Sequence, residues 1–192
     1  NFPIERSKLK SRKQEETLHK PIDNVKKLLA KVKAFNEDLY LCCLFTYSCL
    51  LRPHQEIRLL KWEDFTCDLS HIRLSGNQVK SKRNRIVPVS PKIREILSRK
   101  EGHLNIFTGL KQPYSRSYFI QLWRRFKRLN PEVDKEITLY SFRHSGAIDI
   151  FKRTGSIAKL QKAMGHSSMT VSLTYLRGLE VAELQEEDMP MV

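Results

Sequence analysis

Cysteine is scarce and poorly spaced for a scaffold: Cys42, Cys43, Cys49 and Cys67 are all there are, and no two form a CxxC pair. Neither a zinc ribbon nor a disulfide framework fits that spacing. Three of the four fall in one apolar stretch, so they are read as small buried hydrophobes in a reducing compartment. Long apolar runs are missing too. The longest, Leu39 to Leu51, is interrupted by Thr46 and Ser48 and is too short to span a bilayer. Nothing like a signal peptide opens the chain, which makes the cytoplasm the expected location and leaves the membrane without a role. Internal repeats and low-complexity segments are absent as well.

What is abundant is positive charge. Lys and Arg number 35 against 21 Asp and Glu, a formal net charge of +14 over 192 residues. Such an excess is the footprint of a polyanionic partner, because each phosphate met by Lys or Arg releases condensed counterions. The charge is uneven: no basic residue follows Arg177, whereas Glu180, Glu183, Glu186, Glu187 and Asp188 do. Residues 178–192 therefore read as a tail that stays off a polyanion. Residues 1–20 are polar, charged and without apolar period, and read as a linker or arm. Between them, residues 21–177 have the length and apolar content of one domain with a core of its own.

Within that domain the periodicity is mainly helical. Val25, Leu28, Leu29 and Val32 recur at helical spacing after a cap at Asp23 or Asn24. A second helix, about 36–51, is apolar nearly all round and is expected to be central. Pro53 is expected to open a third, through about Lys61. The period then changes to two: His71 to Ser75 and Arg85 to Val89 read as antiparallel strands of a hairpin around a basic loop, with Gly76-Asn77 as a turn signal. Helix returns at 91–99. Residues 105–108 read as a third strand or an extended connection. A long helix from about Ser115 to Asn130 turns Phe119, Leu122, Phe126 and Leu129 inward and carries the cations Arg124, Arg125, Lys127 and Arg128. Shorter helices fit 139–153, 156–164 and 168–177, broken at Gly155 and Gly165. Trp62 is assigned to the core and His144 to a buried structural position. The fold class is mainly α with a small antiparallel hairpin.

The chemistry gathers late in the chain. Tyr175 ends the run that begins Gly165-His166, and Arg143 stands in Tyr140-Ser141-Phe142-Arg143-His144. An arginine presents a rigid fork of donors to a phosphate, and a tyrosine oxygen can form a covalent link to it. Taken singly, Arg52 is an ordinary surface charge, Tyr175 a core ring and His166 a cap after glycine. It is their order and spacing that give them a joint meaning.

Four ordered motifs together resemble the catalytic domain of the tyrosine recombinases, the phage integrase family, over roughly Pro21 to Tyr175. The first is Leu50-Leu51-Arg52 ahead of Glu56-Ile57 and Leu59-Leu60-Lys61-Trp62-Glu63-Asp64-Phe65. The second places Lys80 eight residues before Pro88 in the hairpin. The third is Tyr140 to His144, and the fourth is Gly165-His166 through Tyr175. The resemblance implies a DNA breaking-and-rejoining fold, with Arg52 and Arg143 on the scissile phosphate and Tyr175 as nucleophile. Lys80 would protonate the leaving 5′ oxygen. His166 would bond the phosphate or help to accept the nucleophile's proton.

Lys82, Arg83 and Arg85 in the hairpin, with Arg124, Arg125, Lys127 and Arg128, are the expected DNA contacts. Neither metal nor cofactor is implied. The partner is double-stranded DNA, on which four protomers would form a synapse; off DNA the chain would be monomeric. The tail would dock on a neighbouring protomer, and a further DNA-binding domain would precede residue 1. Alternatives with the same motifs are a type IB topoisomerase and a DNA-binding module whose site has decayed. Two departures from the family pattern stand out. Tyr140, also a catalytic candidate, occupies a position where the family usually has histidine; a phenol can donate a hydrogen bond to a phosphate oxygen but is a poor proton acceptor near neutrality. Arg52 and Glu56 are four residues apart rather than three, so either Gln55 takes the acidic position or one residue is inserted.

Overall fold

A computed structural model describes residues 19–76 and 84–176 of the chain. Helix α1 (Val25–Phe35) starts at Asn24, whose side chain accepts the amide of Lys27, so Asn24 and not Asp23 is the cap. Asn36 caps α2 (Glu37–Ser48) in the same way through Leu39, with Glu37 and Asp38 favourably placed in its first turn. Helix α2 buries residues on every side, among them Leu39, Cys42, Cys43, Leu44 and Phe45. Each large apolar side chain removed from water there contributes about 1.5–3 kcal/mol. The buried Thr46 hydroxyl donates to the Cys42 carbonyl at 2.8 Å.

Helix α5 (Leu139–Thr154) packs most extensively against α2. Their approach is so close at Gly146 that an added Cβ would lie 2.1 Å from the Tyr47 carbonyl oxygen. Any side chain there would force the two helices apart. Around this pair stand α3 (Pro91–Ile96), α4 (Tyr118–Leu129), α6 (Ile157–Met164) and α7 (Met169–Thr174). Strands β1 (His71–Leu74) and β2 (Arg85–Pro88) pair antiparallel, with His71 opposite Pro88 and Leu74 opposite Arg85. Most buried side chains belong to one core, while Leu50, Ala147, Leu160 and Met164 form a second, small one against which Tyr175 and Leu176 pack. Among the described residues no helix is long and apolar enough to cross a membrane.

Several expectations are corrected. No α-helix follows Pro53: the chain makes a turn and two single 3-10 turns, Ile57–Leu59 and Trp62–Asp64. The amides of Ile57 and Arg58 donate five residues back, to Arg52 and Pro53, in place of the helical four. Asn105 then holds the turned chain, its side-chain amide donating to the carbonyls of Arg58 and Leu60 at 2.9 and 3.0 Å. The other end of the same side chain accepts the amides of Phe107 and Thr108, so residues 105–108 turn instead of forming a strand. Helix α4 is shorter than expected, and Leu129 at its end is 60 % exposed; Trp123 takes the inward position instead, its indole nitrogen donating to the Ile137 carbonyl. Cys67 is exposed, unlike the other three cysteines. Trp62 is buried, as expected. The hairpin turn around Lys80, with Lys82 and Arg83, lies outside the described residues, as do residues 1–18 and 177–192.

Candidate active site

Leu50 takes the left-handed conformation (φ 52°), a strained backbone for a residue with a γ-branched side chain. That kink ends the run of α2 and turns Arg52 back toward α5. The Arg52 backbone amide and its Nη1 each donate at 2.9 Å to one oxygen of the Glu56 carboxylate, which is fully buried. Glu56, then, fills the acidic position and Gln55 faces outward; the extra residue is absorbed by the turn in which the amides of Glu56 and Ile57 both donate to the Arg52 carbonyl.

Arg85 reaches the same carboxylate from the hairpin, its Nη2 3.6 Å from Glu56 Oε2. Alternation along β2 puts Arg85 on the face of Val87, inward, while Ile86 is exposed. Its guanidinium also donates to the carbonyls of Met164 at 3.0 Å and Leu50 at 3.4 Å. Burial drives its pKa down to about 10, with Glu56 opposing the shift and the Arg143 and Arg52 charges adding to it. The expectation that Arg85 is a surface contact to DNA is corrected: it braces the interior of the site. Removing Glu56 would leave two buried guanidinium groups without their counter-charge, so Glu56→Ala is expected to cost about 3–5 kcal/mol in urea unfolding. A loss below 1 kcal/mol would show that the carboxylate is not what holds these arginines.

Arg143 comes from α5 and is 1 % exposed. Its Nη2 donates at 2.9 Å to the Met164 carbonyl, the oxygen that Arg85 also uses. The last carbonyls of a helix have no partner within it and carry partial negative charge, so the end of α6 is a natural seat for two cations. Gly165 follows at φ 67°, and a Cβ there would come within 2.7 Å of Arg85 Nη1. Glycine before His166 is therefore demanded twice, by the backbone and by the arginine beneath it. Nη1 of Arg143 is buried and meets no hydrogen-bond acceptor of good geometry. Burial first, then the Arg52 charge, lower the pKa of this guanidinium, while the Tyr175 phenol and Glu56 work against that shift. Such a cation favours an anion that enters beside it.

Tyr175 ends α7, which Ser168 caps. His166 turns its Nδ1 to the buried Ser172 hydroxyl at 3.0 Å, and its ring centre is 5.4 Å from that of Tyr175. The structure brings Arg52, Arg143, His166 and Tyr175 into one neighbourhood, with Arg85 and Glu56 behind them. Tyr140 stands at its edge: its ring stacks on His19 at 5.2 Å and tilts against His54 at 6.1 Å. Burial, then Arg116 and Arg58, hold the His54 imidazole below its usual pKa, and its Nδ1 is buried without a hydrogen bond. His54 has no place in the sequence reading, which puts Arg85 on the DNA. The extra residue between Arg52 and Glu56 was the available signal for the first, and the shared face of Arg85 and Val87 for the second.

Of the helix α4 cations, Arg124, Arg125 and Arg128 are exposed. Lys127 is half-buried and its ammonium donates to the Lys135 and Ile137 carbonyls, so it ties down the following loop. Among the described residues no group of three His, Cys, Asp or Glu side chains could hold a metal ion.

The geometry has counterparts. A model of the phage integrase family matches residues 21–180. The chain is 25 % identical over 174 residues to the integrase of Escherichia phage P2, covering 90 % of this chain and 47 % of that one. It thus spans about half the length of that relative. The fold is similar to the catalytic domain of bacteriophage HP1 integrase, with a TM-score of 0.62, 23 % identity, and 83 % and 87 % of the two chains covered. It is also similar to the XerH site-specific recombinase solved on its difH substrate before cleavage, with a TM-score of 0.63, 16 % identity, and 83 % and 50 % covered.

Proposed function

Since the chain belongs to the phage integrase family, we propose that it cuts and rejoins double-stranded DNA at a specific site through a 3′-phosphotyrosine link formed by Tyr175. The observation that carries this reading is the buried Arg143, whose guanidinium interacts with the Tyr175 phenol in a pocket where the Arg52 charge also bears on it. Phosphoryl transfer spreads negative charge over the non-bridging oxygens, and donors fixed in advance meet that charge more strongly in the transition state than in the ground state. Arg52 and Arg143 are so fixed, by Glu56 and by the Met164 carbonyl.

The Tyr175 oxygen attacks phosphorus in line, the bond to the 5′ oxygen breaks, and that oxygen leaves as a hydroxyl with a proton from Lys80 on the hairpin. His166, steadied by Ser172, bonds the phosphate or takes up the tyrosine proton. Attack by a 5′ hydroxyl from another strand reverses the step and restores the backbone, because the phosphodiester energy is kept in the tyrosine link. Lys82 and Arg83 in the hairpin and Arg124, Arg125 and Arg128 on α4 hold the duplex by its phosphates. Four protomers would complete a synapse, the acidic tail of each docking on its neighbour, in the compartment that holds the chromosome. XerH, solved on its DNA substrate, supports DNA as the partner.

The test is a nicked duplex that loses the leaving strand after cleavage and traps the covalent adduct, using candidate attachment sites. An adduct that resists denaturation and maps to Tyr175 is expected; an adduct at another residue would refute the assignment. Tyr140→His is expected to cleave as well as the parent chain or better near neutral pH, since it restores an imidazole where the family usually has one. Single-turnover rates check this. Complete loss of cleavage in a folded variant would mean that the site is built around the phenol and its stack with His19.

A further inference from the structure

Both ring nitrogens of His144 face carbonyl oxygens. Nδ1 lies at hydrogen-bonding distance from the His19 carbonyl, and Nε2 is 2.9 Å from the carbonyl of Tyr175. A carbonyl oxygen only accepts, so the imidazole is the donor wherever it bonds one of them. The residue is only 2 % exposed, so the two carbonyls and not bulk water are its surroundings.

We propose that His144 is a positioning residue that clasps the backbone of Tyr175 to the segment that leads into α1. Without the imidazole the two segments lose the side chain that lies between them. Tyr175 is the sensitive side, because it closes a helix of six residues and packs on the small second core. The proposal rests on the reading of Tyr175 as the nucleophile.

The surroundings hold the ring in place. The Tyr175 ring stands edge-on to the imidazole at 5.5 Å, and His166 lies beyond it. On the other side is His19, whose own ring stacks on Tyr140 and whose Nδ1 meets the Thr138 hydroxyl. On α5 itself the neighbouring charge is Arg143, directed at the Met164 carbonyl. In the family pattern as matched here His144 has no chemical task, and a role that acts through the Tyr175 backbone explains why it is buried between two main-chain acceptors.

The experiment has two arms on the full 192-residue chain. Two-bond proton–nitrogen correlation spectra of the ¹⁵N-labelled protein report whether each imidazole nitrogen bears hydrogen. The His144 nitrogen that faces the Tyr175 carbonyl is expected in the N–H form, and a bare nitrogen there overturns the proposal. The second arm is His144→Gln, whose amide has one donor end and one acceptor end on a flexible stem and cannot hold both carbonyls. Its single-turnover attachment to DNA is expected to fall roughly 10- to 100-fold, the scale of a misplaced reacting group, with DNA affinity unchanged. A variant with the parent's rate overturns the clasp. The spectra need neither DNA nor the variant, so they judge the clasp even where the variant misfolds or where no adduct forms, which would count against the recombinase reading instead.

Discussion

Tyr175→Phe is expected to abolish covalent attachment to DNA while leaving binding within about twofold, because a phenyl ring preserves the packing and removes only the nucleophilic oxygen. The ring contacts with His144 and His166, at 5.5 and 5.4 Å, are between ring faces and edges and survive the change. The His144 contact to the Tyr175 backbone carbonyl survives as well. Adduct assays on denaturing gels and fluorescence anisotropy separate the two effects. Residual adduct from the Phe variant would refute Tyr175 and leave Tyr140, the other phenol near the site, as the next candidate.

Arg143→Ala should slow cleavage by about 10²–10³, the cost of removing one fixed donor from a developing oxyanion. Stability should move little or rise, in contrast to Glu56→Ala. A buried guanidinium that is lowered in pKa by desolvation and by Arg52 is a burden on the fold until an anion arrives. The Met164 carbonyl that it leaves keeps its bond from Arg85. Thermal unfolding with and without inorganic phosphate checks the pair of effects: the parent chain should gain more from phosphate than the variant. A variant that unfolds readily and cleaves normally would make Arg143 a structural residue.

Much of this was legible in the chain before any coordinates. The helices followed from spacing, as in α2, whose apolar surface all round placed it in the centre, and the breaks at Gly155 and Gly165 fell where the structure has them in left-handed caps. What escaped was set by distant partners. Nothing near Pro53 announces that Asn105 will take the carbonyls of Arg58 and Leu60 and hold a turned chain there. Leu129 fits the inward face of α4 by period, yet the helix ends at that point with nothing packed over it, and Trp123 is turned inward by the Ile137 carbonyl. In a basic loop an arginine reads as a phosphate contact, and only the pairing of β2 with β1 decides that Arg85 points in. The acidic position could not be settled between Gln55 and Glu56 by counting, because a turn of one extra residue restores the geometry that the count disturbs.

The second core has a consequence for the order in which the molecule comes apart. Tyr175 and Leu176 are packed on Leu50, Ala147, Leu160 and Met164, outside the core built around α2. Regions with few buried contacts open at a fraction of the global unfolding free energy. Helices α6 and α7 should therefore exchange their amide hydrogens faster than α2, and a chain that exchanges uniformly would contradict this. When they lift away, the carbonyl shared by Arg85 and Arg143 goes with them. Catalytic competence is then a separate equilibrium laid over a fold that stays intact, and a protomer can be fully folded and still unarmed.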